Sequence, residues 1–110
     1  VWHPIVRTHP ETLRNCLYIG RWAVEIEDMP QEEGKKLIKD LTNHISNANF
    51  TYTHKWSPGD VVLWDNRCTQ HCAIPYDDSL ESRHMLRTTL EGDIPFYLAS
   101  DGQRIESALV

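Results

Sequence analysis

From Gln31 to about Ser46, apolar residues return at helical spacing. Leu37, Ile38, Leu41 and Ile45 fall on one stripe, while Lys35, Lys36, Lys39 and Asp40 lie mostly off it. The spacing predicts one amphipathic helix. Pro30 is tolerated in a first helical turn, and Gln31, Glu32 and Glu33 suit the positive end of the helix dipole. Elsewhere the period is two. In Phe50–Trp56 the residues Phe50, Tyr52, His54 and Trp56 share one face and two threonines and a lysine the other, which predicts a strand. Ala23–Glu27 alternates apolar and acidic residues and reads as a half-buried strand. Cys16–Ile19 and Val61–Trp64 are short apolar runs that read as buried strands, and 71–76 and 83–90 are two further extended segments. Pro4 and Pro10 punctuate a loop-rich beginning. Ser57-Pro58-Gly59-Asp60 is a turn, 77–82 is a polar loop, and about 98–110 reads as a frayed polar tail. One unit of several strands with a single main helix is expected, mostly β, as a sandwich or jelly roll.

Composition narrows the function classes. With 110 residues the chain has the size of one domain, and 11 basic against 16 acidic residues give a formal charge of −5. That balance argues against a nucleic-acid partner, which would call for a basic face. No apolar run reaches the roughly 18–20 residues needed to cross a bilayer, so no membrane partner is expected. No secretion signal is visible, and the first residue is Val1 rather than Met, so a fragment or processed product is expected. Three cysteines, Cys16, Cys68 and Cys72, without a secretion signal suggest reduced thiols and a cytoplasmic location.

The segment richest in chemistry is Trp64-Asp65-Asn66-Arg67-Cys68-Thr69-Gln70-His71. A strand leads into it and ends near His71, where a neutral imidazole can serve as a transition-metal ligand or as an ordinary structural histidine. Arg83, Met85 and Arg87 follow at i, i+2 and i+4. On a strand all three project from one face, the arginines roughly 13 Å apart at about 3.3 Å per residue. Two inward guanidinium groups would call for anions, since the planar fork grips a carboxylate or sulfonate with two bonds. Two outward ones would pair with surface acids such as Glu81 or Glu91.

The strings HPIVRTHPET (3–12), WSPGDVVLWDNRCTQH (56–71), RHMLRTTLEGD (83–93) and PFY (95–97) occur in this order. Together they resemble the C-terminal half of the TauD/TfdA family of Fe(II)- and 2-oxoglutarate-dependent dioxygenases. The resemblance implies a double-stranded β-helix, or jelly roll, here incomplete. It implies that the whole of 1–110 is the C-terminal part of such a domain. His71 resembles the distal histidine of the 2-His-1-carboxylate iron site. Arg83 resembles the arginine that pairs with the distal carboxylate of 2-oxoglutarate, and Arg87 the one that holds the anionic group of the substrate. Trp22 falls where taurine-type enzymes carry an aromatic near the substrate, although the local motif differs and a plain core role is equally open. Asp65 and Asn66 match the family string and read as structural. The implied reaction consumes O₂ and 2-oxoglutarate, releases succinate and CO₂, and hydroxylates a C–H bond of a small organic acid such as a sulfonate or aryloxyalkanoate.

The family's other two iron ligands form a His-x-Asp/Glu pair far upstream of the distal histidine. Only His9-Pro10-Glu11 has that spelling here, and it lies inside a string that the family carries downstream of its metal pair. His9 is therefore read as a decoy. The expectation is a half enzyme, inactive alone, that self-associates or associates with a missing N-terminal half, and no catalytic residue is assigned within it. Two alternatives need no iron site. One is a zinc module on Cys68, His71 and Cys72. The other is a non-catalytic anion-binding or assembly domain that keeps Arg83 and Arg87.

Overall fold

In a computed structural model, the described residues are 1–77, 79–80 and 82–108. Asp78 and Glu81 of the polar loop, and with Glu81 one of the acids considered as an arginine partner, lie outside them. So do the last two residues of the tail.

The chain begins with an antiparallel hairpin. Strand β1 (Val6–Thr8) pairs with β2 (Asn15–Leu17), Arg7 standing opposite Cys16. The Thr8 hydroxyl donates to Asn15 Oδ1 at 2.8 Å and accepts the Leu98 N–H at 2.9 Å. That second bond ties the hairpin to another one, β3 (Phe96–Leu98) with β4 (Arg104–Glu106). The interior between them is small and unusually polar. Its buried apolar residues are Ile19 and Phe96, and beside them Arg7, Thr8 and His9 are buried in succession.

The helix forms where the stripe places it. Helix α1 (Gln31–Ile45) turns Leu37, Ile38, Leu41 and Ile45 to its half-buried side. Pro30 precedes the first turn, its carbonyl accepting the Gly34 N–H at 2.9 Å, and Glu32 and Glu33 sit at the positive end of the dipole. Gly34 is the helix's buried residue and lies against Ile26. A Cβ there would meet Ile26 N at 3.5 Å and Ile26 Cβ at 3.6 Å, which is ordinary contact. Gly34→Ala is therefore expected to raise stability by about 0.5–1 kcal/mol, since alanine loses less backbone entropy in a helix. A thermal melt followed by circular dichroism at the helix band checks this.

The period-two segments come out differently. The jelly roll is not assembled. Ala23–Glu27, Phe50–Trp56, Val61–Trp64 and, among the described residues, 71–76 and 83–90 form no strands. The physical reason is that a strand is a property of a pair. A helix closes its own hydrogen bonds, whereas a ladder needs a second backbone, and the described residues supply none to these segments. The same-face alternation nonetheless persists locally. The His54 ring stands 6.1 Å from that of Tyr52 and 4.6 Å from that of Trp56, each two residues away. The turn at 57–60 also forms, with Asp60 N–H donating to Ser57 O at 3.1 Å and Gly59 at φ +90°.

Phe50, Tyr52, Val61, Leu63, Leu86 and Leu90 are left exposed. The radius of gyration is 16.8 Å, against about 13 Å for a compact chain of 100 residues.

The polar tail is a further correction. Residues 98–108 are not frayed. They turn through Ala99–Gly102, with Gly102 N–H donating to Ala99 O at 3.0 Å and Gly102 at φ +86°. They then run back as β4 to a bridge between Ala108 and Trp2. Asp101-Gly102 is a hairpin signal of ordinary kind, and Asp101 Oδ1 accepts the Gln103 N–H at 2.9 Å. No helix among the described residues is long and apolar enough to cross a membrane.

Candidate functional site

The loop after β1 presents His9 to the Trp64–His71 segment. His9 Nδ1 accepts the backbone N–H groups of Glu11 and Thr12, both at 3.2 Å. The proton of the neutral ring is thereby assigned to Nε2, which lies 3.1 Å from Asp65 Oδ2 and donates to it. Asp65 also accepts from Arg67 Nη2 at 2.7 Å, from Arg67 Nε at 3.0 Å and from the Arg67 backbone N–H at 2.8 Å. Arg67 Nη1 donates in turn to Glu11 Oε1 at 2.9 Å. His9, Asp65, Arg67 and Glu11 thus close a ring of hydrogen bonds between the hairpin loop and the turn at 65–69. The Arg67 side chain, then its backbone N–H, then His9, hold the Asp65 carboxyl far below the usual carboxylate range. Asp65 and Glu11 push the Arg67 guanidinium up correspondingly.

Cys16 adds a tie from β2, its thiol contacting Arg67 O at 3.5 Å. Burial first, and then the neighbouring Cys68, push that thiol up. The three cysteines are free thiols.

Beyond the turn, Trp64 gathers the other group. Its half-buried indole donates through Nε1 to Asn66 Oδ1 at 2.8 Å. The His71 ring lies 4.8 Å from it, tilted by 50°, and the Arg87 guanidinium lies over it at 5.6 Å. Arg87 Nη1 stands 3.3 Å from His71 Nε2. Arginine has no acceptor, so Nε2 is the acceptor here, and its lone pair, the one a metal would need, is engaged by Arg87. Arg83 is held apart from this group, 6.0 Å from the rings of both Trp56 and Tyr76, with its Nε 2.6 Å from Met85 Sδ.

The structure therefore brings His71 and Arg87 together and gives Arg83 its own aromatic neighbours. All three side chains are exposed. A concavity of about 290 Å³ lies elsewhere, between Trp2, Ile5, Ile26 and Ile105. Another, of about 250 Å³, lies along α1 near Met29 and Leu37. Trp22 is 80% exposed, and its ring contact among the described residues is with Arg21, at 4.9 Å.

Among the described residues, three donors converge within 4.8 Å at His9, Asp65 and Cys68. That set is a poor metal site, because both ring nitrogens of His9 are in use and Nε2 carries a proton. The alternative zinc set Cys68, His71 and Cys72 does not converge among the described residues. The His71 imidazole is a ligand type that iron accepts, and among the described residues no group of three donors includes it. The hydrogen-bonded ring was invisible to sequence reasoning except as two separate strings. Its one signal was that HPET and WDNR both carry complementary charge.

A third tie completes the frame. Arg7 Nη2 on β1 donates to Asp93 Oδ1 at 2.8 Å. The strings at 3–12, 56–71 and 83–93 therefore meet at the hairpin of β1 and β2. The family described as "Taurine catabolism dioxygenase TauD, TfdA family" matches residues 1–89.

This chain belongs to the TauD/TfdA family.

Among curated TauD/TfdA relatives, the alpha-ketoglutarate-dependent 2,4-dichlorophenoxyacetate dioxygenase of Cupriavidus pinatubonensis is 41% identical over 88 residues, 80% of this chain and 31% of that protein. The (S)-phenoxypropionate/alpha-ketoglutarate-dioxygenase of Sphingobium herbicidovorans is 41% identical over 90 residues, 82% of this chain and 31% of that one. The alpha-ketoglutarate-dependent sulfate ester dioxygenase of Pseudomonas putida is 35% identical over 101 residues, 92% and 33% respectively. The chain thus spans about a third of the length of the TauD/TfdA relatives it matches. No solved structure matches it.

Proposed function

We propose that this TauD/TfdA chain forms the C-terminal, anion-binding part of an Fe(II)- and 2-oxoglutarate-dependent dioxygenase acting on a small organic acid of the aryloxyalkanoate, sulfonate or sulfate ester type. His71 supplies one iron ligand, Arg83 binds the distal carboxylate of 2-oxoglutarate, and Arg87 binds the anionic group of the substrate. The observation that carries the reading is the contact of Arg87 with His71 Nε2 at 3.3 Å. Once an anion draws Arg87 away from that nitrogen, a permanent cation and a free imidazole lone pair stand side by side, where an anionic substrate would be presented to the metal. The family membership and the activities for which the relatives are named support it. Iron, when bound, supplies the oxygen activation. The arginines of this chain select and orient two organic anions by bidentate, charge-assisted hydrogen bonds. Trp22 is left out of the assignment, since its ring meets Arg21 instead of the His71 group.

The exposed rows from Phe50 to Leu90 support association, either with further polypeptide of the kind that fills the other two thirds of the relatives or with a second copy. One iron ligand is too few for tight binding, so the chain alone is expected to make no stoichiometric succinate from 2-oxoglutarate with Fe(II) and O₂.

A calorimetric titration of the chain with 2-oxoglutarate tests the assignment. Arg83→Ala is expected to weaken binding by about tenfold to a hundredfold, the worth of hydrogen bonds to a charged group. Unchanged binding would overturn the role of Arg83. The lone imidazole favours a second reading, a non-catalytic anion-binding domain of the same descent. Binding of 2-oxoglutarate that is wholly indifferent to Fe(II) would select it.

A further inference from the structure

The residues Trp64 to Arg67 face two ways. Asp65 and Arg67 engage the hairpin loop through His9 and Glu11. Trp64 and Asn66 engage each other, and Trp64 touches both His71 and Arg87. The two members of that pair are exposed, whereas the indole between them is half-buried and fixed by its Nε1–H. An exposed guanidinium on a long side chain samples many rotamers unless a surface restricts it. The indole face is such a surface, attracting the cation through its quadrupole while lying against the imidazole. Arg83 owes nothing to it, having Trp56 and Tyr76 at 6.0 Å. Little apolar burial is at stake in the Trp64 contacts, because both partners lie in water.

We propose that Trp64, oriented by Asn66, is a positioning residue that holds the His71 imidazole and the Arg87 guanidinium in register. The proposal rests on the reading of His71 as a metal ligand and Arg87 as a substrate anchor. Trp64 itself touches neither ligand. It sets the angle between the two groups that do. Asp65 and Arg67, on the opposite side of the same turn, fix that platform to the rest of the molecule.

The test is a crossed set of chemical-shift titrations on the full chain, with three probes: Co(II), phenoxyacetate and 2-oxoglutarate. Trp64→Leu is expected to weaken Co(II) and phenoxyacetate several-fold and to leave 2-oxoglutarate unchanged. Trp56→Leu is expected to do the reverse. Asn66→Ala keeps the indole but removes its anchor, so it gives the same pattern as Trp64→Leu with smaller amplitude. It also keeps the proposal testable should Trp64→Leu lose its helix signal. Trp64→Phe, which keeps a ring but has no N–H, is expected to match Asn66→Ala. Equal weakening of all three probes by Trp64→Leu or Asn66→Ala would mean a merely structural role and would overturn the proposal. So would wild-type binding in both variants. His71→Ala and Arg87→Ala separate the two levels. If His71→Ala leaves Co(II) unchanged, or Arg87→Ala leaves phenoxyacetate unchanged, the underlying assignment fails and the positioning role falls with it. If both controls respond while the Trp64 and Asn66 variants do not, only the positioning role fails.

Discussion

Asp93→Ala is expected to lower the unfolding free energy by about 3 kcal/mol, as removal of one partner from a buried ion pair does. The Arg7 side chain is 4% exposed and that of Asp93 is 30% exposed. Asp93 Oδ1 accepts from Arg7 Nη2 at 2.8 Å, and the Tyr18 ring stands 5.0 Å from the guanidinium. Among the described residues Arg7 Nε has no partner at all. The guanidinium cannot shed its charge, so loss of Asp93 leaves a cation in the interior with little but a ring face for company. The reverse change is milder. Arg7→Met removes the charge itself and leaves Asp93 partly in water, for an expected loss of about 1 kcal/mol. Adding Arg7→Met to Asp93→Ala should therefore recover stability. Urea midpoints for the four proteins of the cycle decide this, provided the slopes agree. Equal losses from the two single changes would mean that water already solvates the pair.

His9→Ala is expected to cost a similar amount, about 3 kcal/mol. It leaves the Glu11 and Thr12 N–H groups without their acceptor and removes a donor from Asp65. His9→Gln and His9→Asn should each fall between, since each can replace one ring nitrogen and neither can replace both. The same ring of bonds sets the acid limb of stability. The Asp65 carboxyl ionises more readily folded than unfolded, chiefly because Arg67 donates to it. The folded state then binds fewer protons, so this contribution is intact above the unfolded carboxylate value of about 3.9 and fades as pH falls below it. Asp65→Asn should flatten the loss of stability between about pH 4 and 2. Denaturant unfolding at a series of pH values measures it, and an unchanged slope there would show that Asp65 is as free folded as unfolded.

The sequence made the helix readable because all its information is local. The stripe of Leu37, Ile38, Leu41 and Ile45 and the hydrogen bonds behind it lie within 15 residues. The strands were readable only as alternation. Tyr52, His54 and Trp56 do keep ring contacts along one face, yet no ladder forms, because pairing depends on a backbone that the alternation does not specify. His71 and Arg87 were singled out from their strings, and they do adjoin. What joins them is Trp64, which the sequence marks as the end of an apolar run and the start of the chemistry-rich segment, with no sign of this role. His9 was set aside as a ligand by its place in a string. Its actual employment depends on Asp65, 56 residues away, and no local pattern announces such a partner. The hairpin at 98–108 was missed for the opposite reason. Its Asp101-Gly102 signal was present, but the polar residues around it outweighed it.

Arg7, Thr8 and His9 occupy consecutive positions where a chain of this size ordinarily keeps hydrocarbon. An interior of that kind uncovers little oily surface when it comes apart, so its melting carries a small heat-capacity increment. The stability curve is accordingly shallow, and chilling takes away little of what holds the two hairpins together.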